Sequence, residues 1–163
     1  MTLKIKVLLE NRRAVGADKS LLAKAGLSLL LQDDTTTVLF DTGPDGSFLH
    51  NAVLMGVDLS QLTATVLSHG HYDHCGGVPW LPDNSRIICH PQIANERYST
   101  MSLPGYTAKI KKLSLDIDYS RYNMEYSRAP LNISDRFMWS GEIAVATPRA
   151  YGIISGEVMA ADW

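Results

Sequence analysis

Cysteine is scarce in this chain, two of 163 residues, Cys75 and Cys89. That excludes a disulfide-stapled scaffold, and the spacing matches no zinc-ribbon pattern, so both are expected to be small buried side chains in a reduced compartment. No apolar run approaches the roughly 20 residues that a membrane helix requires. The opening MTLKIKVLLENRR alternates where a secretory signal would have an unbroken apolar core, which makes a cytoplasmic chain the expectation. There is no block of like charge either: 15 basic residues stand against 17 acidic ones, net −2. Neither nucleic acid nor a membrane surface is therefore the expected partner. Repeats, low-complexity stretches and clear linkers are also missing, which leaves one domain over residues 1–163, long enough to bury roughly 68–70% of its unfolded surface.

What is present reads as strands separated by turns and short helices. Leu3, Ile5, Val7 and Leu9 alternate with polar or basic neighbours, the pattern of a half-buried strand ending at Glu10-Asn11. Residues 12–25 are expected to be a loop with a helical turn. The stretch GLSLLLQDDTTTVLFDTG then predicts strand, Asp-Asp turn and strand, a hairpin. Phe48, Leu49, Ala52, Val53 and Met55 follow at helical spacing with Gly56 as the stop, and DLSQL suggests a second short helix. TATVLSH reads as a buried strand and RIICHP as another, closed by Pro91. Beyond Pro91 only fragments such as 110–115 look strand-like, and two apolar segments flank Pro148 near the end.

Histidine is uncommon, five residues, yet three of them fall in six positions of VLSHGHYDHCGG. If the chain stays extended after Val66 and Leu67, His69 and His71 project to the same side and can grip one metal ion. Asp73 and His74 point elsewhere, and the glycines at 70, 76 and 77 let the backbone turn closely enough for them to serve a second ion. Nitrogen and oxygen donors suit zinc, with iron or manganese as alternatives. The competing reading is a surface histidine cluster, or histidines capping a helix that starts near Gly77.

HxHxDH in SHGHYDHCGG, together with VLFDTG at 38–43, resembles the metallo-β-lactamase superfamily. VLLENR, GLSLLL and LFDTGPDGSFLHNAVLMGVDLSQL resemble more closely its dihydropterin-ribofuranosylaminobenzene-phosphate-synthase-like branch, over residues 3–98. The resemblance implies an α+β fold, an αββα sandwich with two divalent metal ions, of zinc by preference, at one edge. It places His69 and His71 on the first ion and Asp73 and His74 on the second. Asp73 would also be the catalytic residue, and metal-bound water or hydroxide would attack an ester, thioester, amide or phosphoester of a small molecule. Asp41 would brace the ligand loop; its alternative is a plain turn residue before Gly43.

The chain departs from that pattern after the loop. The family supplies further histidines and a bridging aspartate later, whereas here the other histidines are His50, in the expected helix, and His90, at a strand end. Asp116, Asp118, Asp135 and Asp162 sit in no comparable motif. The expectation is therefore an incomplete sandwich, mainly the N-terminal sheet and its helices, with an apolar sheet left exposed. The C-terminal half, which the chain is expected to lack, a second copy or a partner chain would complete the site.

Weaker candidates complete the list. Cys75 is either a core residue or an extra ligand. Tyr72 and Asn11 either line a substrate cleft or are an exposed tyrosine and a turn residue. Tyr98, Tyr106, Tyr119, Tyr122 and Tyr126 with Arg121 and Arg128 form either a recognition loop or ordinary surface packing, and Lys109, Lys111 and Lys112 fit a solvated strand face. Three functions compete: a two-metal hydrolase, a metal-binding or interaction module without catalysis, and a structural domain with an incidental histidine cluster.

Overall fold

The computed structural model describes residues 2–143, 152–154 and 157–159. Its centre is a six-stranded mixed sheet in the order β1-β2-β3-β4-β5-β8. Strands β1 (Lys4–Leu9), β2 (Ser28–Gln32) and β3 (Thr37–Phe40) pair antiparallel, as the predicted hairpin requires. The β2–β3 turn is held by Asp33, whose Oδ1 accepts from the backbone N–H of Thr35 and Thr36 at 2.8 Å each.

After β3 the sheet becomes parallel through β4 (Ala64–Val66), β5 (Arg86–Cys89) and β8 (Asn123–Tyr126). Parallel neighbours need crossovers. The first contains α1 (Ser47–Leu54); the second contains the helical turn α2 (Tyr72–Cys75) and a 3-10 turn at Val78–Trp80. Gly56, at φ +63°, ends α1 as expected, with Val57 N–H donating back to Ala52 O at 2.8 Å. The helix expected at DLSQL does not form: Asp58 accepts from Ser60 N–H and Oγ–H instead, a local bond that competes with helix. Residues 12–25 likewise contain turns and no helix.

Alternation divides the sheet into two apolar faces. Leu30, Leu39, Thr65 and Ile87 lie in register on one face, packed with Phe48 and Ala52 of α1. Val38, Ala64, Val66 and Ile88 lie on the other, under Trp139 and the short β9 (Leu131–Asn132) and β10 (Met138–Trp139) pair. Two expectations of burial fail. Val53 of α1 is exposed, and Leu3, Ile5 and Val7 are 55%, 57% and 52% exposed. The reason is that β1 is the sheet edge and carries a bulge between Val7 and Leu9, which breaks the alternation and turns Leu8 and Leu9 both inward.

The stretch after Pro91 holds a hairpin that its sequence does not announce. β6 (Arg97–Leu103) pairs antiparallel with β7 (Tyr106–Lys112) through a turn at Gly105, φ +85°. It belongs to a second sheet, ordered β12-β11-β6-β7 with β11 (Gly152–Ile154) and β12 (Glu157–Met159). Both strands belong to the apolar segment after Pro148; residues 144–147 of the segment before it, Pro148 and Asp162 lie outside the described residues. No described helix is long and apolar enough to cross a membrane.

Candidate metal centre

The parallel strands β3, β4, β5 and β8 end along one edge, the edge where open α/β sheets place their ligands. Asp41 follows β3, Ser68 and His69 follow β4, and His90 follows β5. Backbone bonds join the first two loops. Thr42 N–H donates to His74 O at 2.8 Å and Gly77 N–H to Gly43 O at 3.0 Å, while Leu27 N–H, just before β2, donates to Asp73 O at 3.2 Å. Gly77 leaves no room for a side chain, since a Cβ there would stand 2.4 Å from Thr42 O.

Within this frame the three histidine rings cluster. His69 and His71 centroids are 4.7 Å apart and those of His69 and His74 4.2 Å. The separation of His74 from the His69/His71 pair expected from an extended chain is therefore corrected. The turn of α2, which follows His71 at its N-cap, brings His74 back to His69. Asp73 Oδ2 is 3.9 Å from His74 Nε2. All four side chains are half-buried.

Asp41 orders the cluster. It is fully buried and sits at φ +57°, a left-handed conformation that aspartate tolerates better than most side chains. Its Oδ1 accepts from Ser68 N–H at 2.8 Å; its Oδ2 accepts from Ser68 Oγ–H at 2.7 Å and from His74 Nδ1–H at 2.7 Å. Because the hydroxyl proton goes to the carboxylate, Ser68 Oγ can only accept from His69 Nδ1, 2.9 Å away. One carboxylate thus sets the tautomers of both His69 and His74, placing the lone pair of each neutral ring on Nε2. Burial lowers the His74 pKa, but the hydrogen bond to Asp41 and the charges of Asp41 and Asp73 outweigh it, so the net shift is upward. Asp41 therefore ties the loop after β3 to Ser68 and His74 of the histidine loop.

The remaining candidates separate. Cys75 Sγ–H donates to His71 O at 3.1 Å, and burial to 1% exposure pushes its thiol up to about 12, the setting of a core residue. Asn11 Oδ1 accepts from Gly26 N–H at 3.0 Å, directly behind Asp73. Tyr72 lies between the ligand candidates, its ring beneath Lys111 Nζ at 4.8 Å from the centroid. His50 is exposed on α1; His90 is buried, with Nδ1 accepting from Gln92 N–H at 3.1 Å and Nε2–H donating to Glu142 at 2.6 Å. Asp116 pairs with Lys112, Asp118 caps the 3-10 turn at Tyr119–Arg121, and Asp135 is exposed. The tyrosine set does not form one loop: Tyr119 and Tyr122 are core residues, and Tyr106 and Tyr126 are exposed.

Two contributors went unread in the sequence. Ser68 is the relay just described, and nothing about a serine beside a histidine marks it. Arg97, 2% exposed, donates to the carbonyls of Gln92, Ile93 and Asn95 and packs so closely on Gly70 that a Cβ there would meet its Nη1 at 2.3 Å. It braces the loop between His69 and His71, and a lone arginine in ANERYST gives no sign of being buried.

Three imidazoles and a carboxylate, two of the rings oriented by a buried acid, are the donor chemistry of a divalent transition metal. Among the described residues no group of three or more His, Cys, Asp or Glu side chains has the arrangement of a finished metal cage. The donor types fit, and the four side chains are fewer than two metal sites require.

Residues 22–148 match the family model of the metallo-beta-lactamase superfamily. The uncharacterised protein MJ0448 of Methanocaldococcus jannaschii is 28% identical over 151 residues, covering 90% of this chain and 54% of its own. The crystal structure of Tm1679, described as a metal-dependent hydrolase of the beta-lactamase superfamily, superposes with a TM-score of 0.72. Its identity is 24%, over 96% of this chain and 56% of that one. That likeness is one of fold. The chain spans about half the length of both relatives.

Proposed function

The chain belongs to the metallo-β-lactamase superfamily, and from that premise we propose that it is a metal-dependent hydrolase acting on an ester, thioester, amide or phosphoester of a small molecule. The observation that carries the reading is the relay His69–Ser68–Asp41–His74, which points two imidazoles of one loop the same way chemically, proton on Nδ1 and lone pair on Nε2.

His69, His71 and His74 would hold divalent metal through nitrogen, and Asp73 through oxygen. Zinc is the preferred ion, iron or manganese the alternatives, and two ions the expected number. When bound, such an ion supplies Lewis acidity that polarises the scissile group and lowers the pKa of water. The chain's own residues do the rest. Asp41 and Ser68 keep both rings in one tautomer, and Asp73 supplies the anionic oxygen and a proton acceptor beside the reacting group. Tyr72 borders the substrate, while Arg97 and the contact of Gly26 with Asp73 hold the loop still.

A second reading has its own support: the incomplete donor set among the described residues and a length about half that of the relatives. In it, this chain carries half a centre that a partner chain or a second copy completes. Elemental analysis of protein purified without chelator, beside the His69→Ala/His71→Ala double variant, tests both. Stoichiometric zinc, lost in the variant, with hydrolysis of activated esters or phosphoesters supports the hydrolase. The same zinc without hydrolysis supports the half-centre, and no metal in either protein overturns both.

A further inference from the structure

We infer that Lys111, held over the ring of Tyr72, is the anion-recognition residue of this centre, so that the substrate carries a carboxylate or phosphate next to the bond to be cleaved. The inference rests on the hydrolase reading, and it starts from the hairpin rather than from the histidines. The stem of β6 and β7 is fastened to the histidine loop through the main chain: Tyr72 N–H donates to Leu113 O at 2.7 Å, and Leu113 N–H donates to Arg97 O at 2.7 Å. Arg97 in turn packs on Gly70, between His69 and His71. The position of residue 111, two before Leu113, is thereby set relative to the loop by backbone and not by a flexible side chain.

The strand register then selects the lysine. Ser99 pairs with Lys111 and Thr100 with Lys109, which leaves Ile110 as the extra residue of a bulge. Bulges re-aim the side chains around them and recur beside active sites. The three lysines of this strand consequently do different things. Lys109 lies over Tyr98, 4.3 Å from its centroid, and Lys112 bridges Glu96 and Asp116 at 3.0 Å each. Lys111 is exposed, lies over Tyr72, and has no carboxylate partner among the described residues.

That placement is suited to recognition. The ring face attracts and orients the ammonium without neutralising it, and a lysine so held keeps N–H donors for an incoming oxyanion. Tyr72 is the residue between His71 and Asp73, so Lys111 is tied to the segment that carries the proposed ligands. Fixing a substrate by a charge outside the reacting bond is how such a site gains orientation. Both carboxylate and phosphate answer to this chemistry.

The test is titration of the zinc-loaded full chain with acetate and, separately, inorganic phosphate, followed by calorimetry, with zinc content measured in every sample. Lys111→Ala should weaken binding of the preferred anion about tenfold or more and leave zinc content unchanged. Lys111→Arg should retain binding, and Lys109→Ala should behave as wild type. The tighter of the two anions assigns the substrate group. Failure of both to bind wild type, or equal binding by wild type and Lys111→Ala, overturns the inference. If the His69→Ala/His71→Ala variant loses zinc but keeps Lys111-dependent binding, the anion site stands on its own. If wild type holds no zinc at all, the hydrolase reading fails independently of this one.

Discussion

Replacing Asp41 by Asn isolates what the buried carboxylate does. Asn adopts left-handed backbone as readily as Asp, so the φ of +57° adds no strain. Its Oδ1 can still accept from Ser68 N–H, now at 2.8 Å. At the Oδ2 position, however, an amide N–H₂ would face His74 Nδ1 and Ser68 Oγ, each 2.7 Å from that oxygen. The only way to avoid donor against donor is for His74 to move its proton to Nε2 and for Ser68 to turn its hydroxyl toward His69 Nδ1. Both changes put a proton on the nitrogens that a metal would use. Losing a charge-assisted hydrogen bond should cost roughly 1.5–3 kcal/mol of stability, and disturbing the partner of a ligating histidine typically costs about 10–100-fold in metal affinity. Zinc competition with a chromophoric chelator, beside thermal unfolding of the zinc-free protein, separates the two effects. The reasoning is refuted if Asp41→Asn binds zinc like wild type. It is also refuted if the lost affinity tracks only lost stability, which a comparably destabilising core variant such as Leu39→Ala would reveal.

Thr65 Oγ1 is buried with no hydrogen-bond partner among the described residues, between Leu39 and Ile87 on the face packed with α1. Thr65→Val keeps the shape and removes the unsatisfied hydroxyl. It should therefore stabilise by about 1 kcal/mol, a rise in Tm of roughly 2–4 °C by scanning calorimetry; a lower Tm would mean the hydroxyl has a partner. The raised pKa of His74 means the folded protein binds this proton more tightly than the unfolded chain, whose value is near 6.5. Its contribution to the stability of zinc-free protein is complete below that pH and lost as pH rises through the folded value. Zinc affinity should climb over the same interval as the competing proton leaves. Unfolding and zinc titrations between pH 6 and 8, with His74→Gln as reference, would show neither trend if Asp41 did not hold the ring.

Whatever the sequence announced through neighbours, the fold honours. The β2–β3 hairpin follows from two apolar runs around Asp33, and α1 follows from its spacing and Gly56, because in each case the deciding contacts span a few residues. Errors arise where a distant contact or a local polar bond overrides the pattern. Leu3, Ile5 and Val7 alternate as a half-buried strand should, but whether that face is covered depends on where β1 falls in the sheet order, and it falls at the edge. DLSQL has helical composition, but Asp58 caps its own turn. The β6–β7 hairpin was illegible because both of its faces are polar or solvated, so neither period 2 nor period 3.6 emerges.

The candidate centre divides along the same line, and the division shows where its specificity must come from. The donor atoms are contiguous, His69, His71, Asp73 and His74, so six residues of sequence state the chemistry. Everything that turns donors into a site is remote: Asp41 reaches Ser68 across 27 residues and His74 across 33. Arg97 and Leu113 reach Gly70 and Tyr72 from the hairpin. A histidine loop of this kind can be recognised without its supports, and for that reason it says little about what is bound. The supports differ in kind. Asp41 and Ser68 are internal to the loop's proton arrangement and constrain which nitrogens can coordinate, while the hairpin adds an exposed surface, Lys111 over Tyr72, that plays no part in holding the rings. On the proposed reading, chemistry and selectivity reside on separate elements, joined by the backbone hydrogen bond from Tyr72 N–H to Leu113 O and by Arg97 packed on Gly70. Substitutions at Lys111 should change which molecules are recognised while leaving intact the relay that orients His69 and His74.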